Sequence, residues 1–235
     1  MGELSGYKRS YAKSDILAQS FMSKVYLWMA FGLCATGAVS YFAVRSAPLL
    51  NVLFGRGFAP FFVLVVIELG MVMYLASRVM TLNPATAKLL FFLYAALNGL
   101  TLAPIFLVYT RESLASTFFV SAAMFGVMAM YGTRTKRDLT EAGDFFRMGL
   151  IGVIIASLVN MFLKSEMIMW VTTYIGVFVF LGLTAYDTQK LRSMARENSV
   201  SDDVMENFSV LGALTLYLDF LNLFLLMLRI MGKRR

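Results

Sequence analysis

The sequence predicts an all-α polytopic membrane protein, and three observations carry that expectation. Of its 235 residues, 59% are hydrophobic and only 15% charged, against roughly 45–50% and 25% in a soluble domain. Mean hydropathy is +0.72. The apolar residues gather into seven stretches of roughly 17–25 residues, the length that crosses a bilayer as a helix. This composition excludes a soluble globule. It also excludes a disordered chain, which needs few apolar residues and many charges.

The first stretch, 25–44, follows a segment, 1–24, that holds Glu3, Lys8, Arg9, Lys13 and Asp15 and no apolar run. A secretory signal is therefore not expected, and the first helix should stay in the membrane. The second stretch, 58–77, carries Glu68 near its middle and ends beside Arg78. The third and fourth, 89–109 and 114–131, are followed by a basic connection. The fifth and sixth are 145–163 and 167–186, the latter closed by Asp187, and the seventh, 210–228, contains Asp219. The longest remaining pieces, 1–24 and 187–209, are too short to build a second core. The expected organisation is an N-terminal segment, 1–24, and one membrane domain, 25–235. No internal repeat supports an inverted-repeat transporter.

Basic residues mark the cytoplasmic side of a membrane protein. Thirteen of the 21 Lys and Arg share the side of the N-terminus: Lys8, Arg9, Lys13, Lys24, Arg78, Lys88, Arg134, Lys136, Arg137, Arg147, Lys190, Arg192 and Arg196. The other eight include Arg45, Arg56, Arg111 and Lys164, together with Arg229, Lys233, Arg234 and Arg235 of the tail. The N-terminus is expected in the cytoplasm. The basic tail opposes that count, and six spans plus a re-entrant last segment is the alternative topology. Because Lys and Arg sit in short runs between apolar segments, their expected partner is anionic lipid rather than nucleic acid.

Ionisable residues inside a span cost about 2.5–3.5 kcal/mol each and by default mark a functional site. Glu68, Arg78, Asp187 and Asp219 are the candidates. Thr215, Asp219 and Asn222 recur at i, i+4 and i+7, so they share one helical face, and their apolar neighbours Leu216, Leu218, Phe220 and Leu223 turn that face into the bundle. With seven spans, Asp187 and the start of the seventh helix share the cytoplasmic side. Asp187 and Asp219 are then expected to meet partway into the bundle, with Glu68, Thr215 and Asn222 as further polar residues along an ion path. The chain has no His, so a pH response near neutrality falls to carboxylates.

One cysteine, Cys34, excludes a disulfide framework and a cysteine-based zinc site within one chain. The 17 Met suit packing. Trp28 and Trp170 suit interfacial anchors, and Gly126, Gly149 and Gly152 suit close helix contacts.

At Gly182-Leu-Thr-Ala-Tyr-Asp-Thr-Gln-Lys190 and Leu216-Tyr-Leu-Asp-Phe-Leu-Asn-Leu-Phe224 the chain resembles the Bax inhibitor-1 family, also called the transmembrane Bax inhibitor motif family. Tyr131-Gly-Thr-Arg-Thr-Lys-Arg-Asp-Leu139 and Leu97-Asn-Gly-Leu-Thr101 extend the likeness, which runs from the first span to the tail and is closest to bacterial members. The resemblance implies a seven-helix bundle with the last helix central and a pH-sensitive calcium leak. It implies that Asp187 and Asp219 form a proton sensor and that Arg78 latches onto them. Two departures stand out: the long connection between the aspartates, and Arg111, where many bacterial relatives carry Gly.

Two carboxylates in one poorly hydrated site do not both ionise cheaply, so the pair should gain and lose protons in two coupled steps. When both are charged they need a cation, from Arg78 or from Ca²⁺, and competition between these is the expected gate. Ca²⁺ takes six to eight oxygens and two carboxylates offer four at most, so Asp187 and Asp219 would bind it transiently and let it leave. No resident cofactor and no catalytic set are expected. One alternative is a non-conducting regulator of a membrane protease or of stress and cell-death machinery, acting through 1–24 or 187–209. The mixed charges of 187–209 also read simply as a solvated loop. A remote alternative is an intramembrane aspartyl protease, but Leu216-Tyr217-Leu218 stands before Asp219 where that class has Gly-x-Gly.

Overall fold

A computed structural model describes residues 2–55, 57, 59–197 and 202–235, with the side chains of 2–13, Glu197 and Asp202 left aside. Arg56 and Phe58, and 198–201 of the last connection, lie outside the described residues. The helices are α1 (Gly2–Ala43), α2 (Ala47–Phe54), α3 (Ala59–Arg78), α4 (Pro84–Leu102), α5 (Ile105–Val108), α6 (Arg111–Arg134), α7 (Thr140–Leu163), α8 (Glu166–Glu197) and α9 (Asp202–Met231). Among the described residues there is no strand, only an isolated bridge between Tyr109 and Arg234. Among the described residues, seven helical segments are long and apolar enough to cross a membrane. The last is the most buried of them, 61% of its apolar window against 44% or less in the others.

Three features depart from the hydropathy pattern. The third segment breaks at Ala103-Pro104: proline lacks the amide a helix needs and its ring clashes with the preceding turn, so α4 ends at Leu102 and α5 makes one further turn. The first connection contains α2, with Pro48 in its first turn, where a missing N–H costs nothing. The expected 187–209 connection is largely helix, because α8 runs to Glu197 and α9 starts at Asp202. No Gly or Pro interrupts 187–209, and its Gln, Lys, Leu, Arg, Met and Ala favour helix where hydropathy has already fallen. Three of its charges, Arg192, Arg196 and Glu206, are in ion pairs. Arg196 bonds Asp15, Arg192 Nη2 lies 3.7 Å from the same carboxylate, and Glu206 pairs with Lys24 (3.1 Å) and Lys88 (2.5 Å).

α9 runs unbroken, which removes the re-entrant alternative. The tail beyond it is tied to the α5–α6 junction. Thr110 N donates to Lys233 O (3.1 Å), Arg235 N to Val108 O (2.9 Å), and Lys233 N to Ser113 Oγ (2.8 Å). The tail therefore sits at the end of the molecule where the third connection lies, as seven spans require.

The chain divides into two compact units, Met1–Val108 with Arg192–Tyr217 and Arg235, and Tyr109–Leu191 with Leu218–Arg234. In the first unit α1 packs on α4, and α3 on α4. Ala18, Phe21, Met22, Val25, Met29, Thr36, Ser40 and Ala43 form the buried stripe of α1, at the three- and four-residue spacing of one helical face. At Gly99 a Cβ would stand 2.7 Å from the Thr36 carbonyl oxygen, so the absence of a side chain sets the distance between α1 and α4. Thr36 Oγ1 donates to Ala95 O (2.8 Å) and lies 2.7 Å from the Tyr217 hydroxyl, and Ser40 Oγ donates to Gly99 O (2.6 Å). These are the polar ties between otherwise apolar helices.

In the second unit the close approaches differ from those the sequence suggested. Gly126 and Gly152 face open space, and Gly149 meets only Val179. The closest approach of two backbones is at Gly132, where a Cβ would meet the Ala185 carbonyl oxygen, while the Tyr186 and Phe146 rings cover Gly143 and Gly182.

Candidate functional site

The second unit builds the site from the residues around Gly132 upward. With α6 and α8 in backbone contact there, the fourth connection lies against α8. Gln189 fixes it, accepting from Leu139 N (2.9 Å) and donating to Arg137 O (2.8 Å). Both ends of the Gln189 amide are therefore used, and the helical turn before it is held in place. Tyr186 closes the other side, its ring covering Gly143 of α7 so tightly that a Cβ there would be 2.3 Å away. The turn so fixed presents Asp187.

Asp187 of α8 is 9% exposed and Asp219 of α9 is 6% exposed, and the two carboxyl groups lie close enough to act on each other's ionisation. Carboxylates carry no donor, so a bond between them needs a proton shared by the pair. Asp219 Oδ2 is buried and takes no hydrogen bond from any described residue. A buried charged oxygen without a donor is costly, and a proton or a cation is what would satisfy it.

The cations that this unit brings to Asp187 are Lys190, one turn on along α8, and Arg147 of α7. Arg147 Nη2 lies 4.0 Å from Asp187 Oδ1, its Nη1 lies 3.7 Å from Asp144 Oδ1, and its guanidinium rests 4.8 Å from the centre of the Tyr186 ring. The sequence reading counted Arg147 only as a topological charge. It stands near the start of the fifth apolar stretch, one turn beyond Asp144.

Arg78 ends α3, is exposed, and belongs to the first unit. Glu68 is also in the first unit, 8% exposed, and its Oε2 accepts from Thr101 Oγ1 at 2.8 Å. That gives the buried acid a partner on α4 within the Leu97–Thr101 motif. Thr215 and Asn222 share the face of Asp219 but turn to their own helix, Thr215 Oγ1 donating to Leu211 O (3.1 Å) and Asn222 Nδ2 to Leu218 O (2.8 Å). Among the described residues no group of three or more His, Cys, Asp or Glu is placed to hold a metal. The pair offers two carboxylates, which suits an ion in transit better than a resident one.

Comparison with known proteins supplies the family. The chain is 51% identical over 219 residues to the inner membrane protein YbhL of Escherichia coli (strain K12), covering 92% of this chain and 93% of that protein. It is 44% identical over 215 residues to an uncharacterised protein of Rickettsia prowazekii (92% and 90% covered), and 38% over 224 residues to one of Borreliella burgdorferi (95% and 96%). The family described as inhibitor of apoptosis-promoting Bax1 matches residues 18–235. With seven apolar helices and this match across nearly its whole length, the chain is an integral membrane protein and belongs to the Bax inhibitor-1 family.

Proposed function

We propose that the protein is a pH-sensitive calcium leak of the bacterial inner membrane, with its N-terminus in the cytoplasm and the Asp187–Asp219 pair as its gate. One observation carries the reading: two buried acids on different helices meet, and one keeps an oxygen with no donor. Such a pair exchanges a shared proton for a cation as conditions change, and an ion bound by so few fixed oxygens can leave again. Similarity to an inner membrane protein supports the location, and the excess of basic residues on the side of the N-terminus supports the orientation.

Arg147 and Ca²⁺ compete for Asp187 in this scheme. The latch role of Arg78 rests on the family resemblance and its motif. Paired membrane aspartates also serve proteolysis in other proteins, but the residues before Asp219 lack the glycines of that class. The test is Ca²⁺ flux in liposomes holding the pure protein, measured across pH. Asp219→Asn and Asp187→Asn are each expected to abolish its pH dependence, and flux that keeps the same magnitude and pH profile in both variants would overturn the reading.

A further inference from the structure

Among the described residues, five buried side-chain polar atoms have no hydrogen-bond partner: Thr117 Oγ1, Ser121 Oγ, Thr188 Oγ1, Asn207 Oδ1 and Asp219 Oδ2. All but Asn207 belong to the second unit. Buried polar groups are as a rule paired, and an unpaired one points to water or an ion at that place.

Thr117 and Ser121 of α6 are the most informative of the five. Both are 0% exposed. A hydroxyl inside a helix ordinarily bonds the carbonyl three or four residues earlier, and Thr36, Thr101, Thr172, Thr173, Thr184 and Thr215 all do so. Thr117 and Ser121 do not, so their oxygens face the packed side of α6 with nothing to bond. With Ser113 they recur at i, i+4 and i+8, one polar column on one face. Ser113 is bonded to the tail through Lys233 N. Beyond Ser121 the same face turns apolar at Phe125, Ala129 and Gly132.

The same helix packs on α9 near Asp219. The Phe220 ring of α9 lies 5.4 Å from that of Phe118 and 5.6 Å from that of Phe125. Phe220 packs against both rings, and the residue before it is Asp219. Two partnerless hydroxyls of α6 and a partnerless carboxyl oxygen of α9 thus lie on helices in direct contact.

We infer that the Ser113–Thr117–Ser121 face of α6 is the hydrated half of the ion path, carrying water and a hydrated cation between the end closed by the tail and Asp219. Neutral hydroxyl oxygens replace part of a cation's water shell without trapping it. The conducting role rests on the proposed leak; the hydration of the column does not.

The experiment separates the two. In a Cys34→Ala background, Thr117→Cys and Ser121→Cys proteins in liposomes are treated with a charged, membrane-impermeant thiol reagent, with Phe119→Cys and Val127→Cys on the exposed apolar face as controls. A thiol reacts as thiolate and stays inert in apolar surroundings, so the column positions are expected to label about tenfold faster or more than the controls. Labelling no faster than the controls overturns the inference, whether or not the protein conducts. Near-isosteric Thr117→Val and Ser121→Ala, checked for unchanged thermal unfolding, are expected to lower Ca²⁺ flux about tenfold together. Flux equal to that of the parent protein would overturn the column as the route.

Discussion

Arg147 Nη2 stands 4.0 Å from Asp187 Oδ1, with Asp144 3.7 Å from its other terminal nitrogen. The guanidinium is shared between an exposed acid and a buried one, so it blocks Asp187 only in part. Partly exposed pairs of this kind contribute about 0.2–1 kcal/mol. Arg147→Gln is therefore expected to lower the Ca²⁺ concentration that half-saturates flux by about 1.5- to 5-fold. Arg147→Lys should keep the parent value, and Asp144→Asn, which frees the guanidinium for Asp187, should move it the opposite way.

Gly132 is where α6 and α8 touch through their backbones. Gly132→Ala places a Cβ against the Ala185 carbonyl, which a helix does not yield easily, and overpacking of this sort costs about 1–3 kcal/mol. A lower thermal-unfolding midpoint in detergent is expected. Gly126→Ala on the same helix, facing open space, is expected to leave the midpoint unchanged or raise it slightly, since alanine is the better helix former.

Thr36 ties three elements together, bonding Ala95 of α4 and Tyr217 of α9 from α1. Thr36→Val keeps the shape and removes the hydroxyl. Hydrogen bonds between membrane helices average about 0.6 kcal/mol and reach about 1.7. A loss within that range is expected from reversible unfolding in detergent, with Tyr217→Phe giving a similar loss and the double variant less than the sum.

Asp138, in the fourth connection, caps the start of α7. Its Oδ1 accepts from Thr140 N (2.9 Å) and Thr140 Oγ1 (2.6 Å), and those bonds hold its carboxyl below the usual carboxylate range. A group whose folded value is lowered contributes while it is ionised in both states, and the contribution fades as pH falls through the folded value. Hydrogen-exchange protection of the Thr140 amide should thus be complete above the ordinary aspartate value of about 3.9 and decline below it. In Asp138→Asn, protection should be flat across the same range.

The spans were legible because lipid demands long apolar runs, and Asp219 was legible because an acid among leucines and phenylalanines has few explanations. Other features were hidden for physical reasons. Hydropathy stops at Asp187, but the helix does not, since helix propensity and membrane preference are different properties and residues 187–197 satisfy only the first. Arg147 is a cation near a segment end, where snorkelling makes such charges ordinary; only the fold brings it to Asp187. Gly132 and Gly126 look equivalent in sequence, and which one meets a backbone depends on how α8 crosses α6.

α9 has a consequence for how the chain is made. Residues up to Tyr217 complete the first unit, those from Leu218 onward complete the second, and the final four residues tie down the tail. A growing chain therefore carries two unfinished halves until α9 is synthesised. Every earlier helix must wait in the bilayer with apolar and polar faces unmatched, and a truncation near the terminus strips a staple from both halves at once.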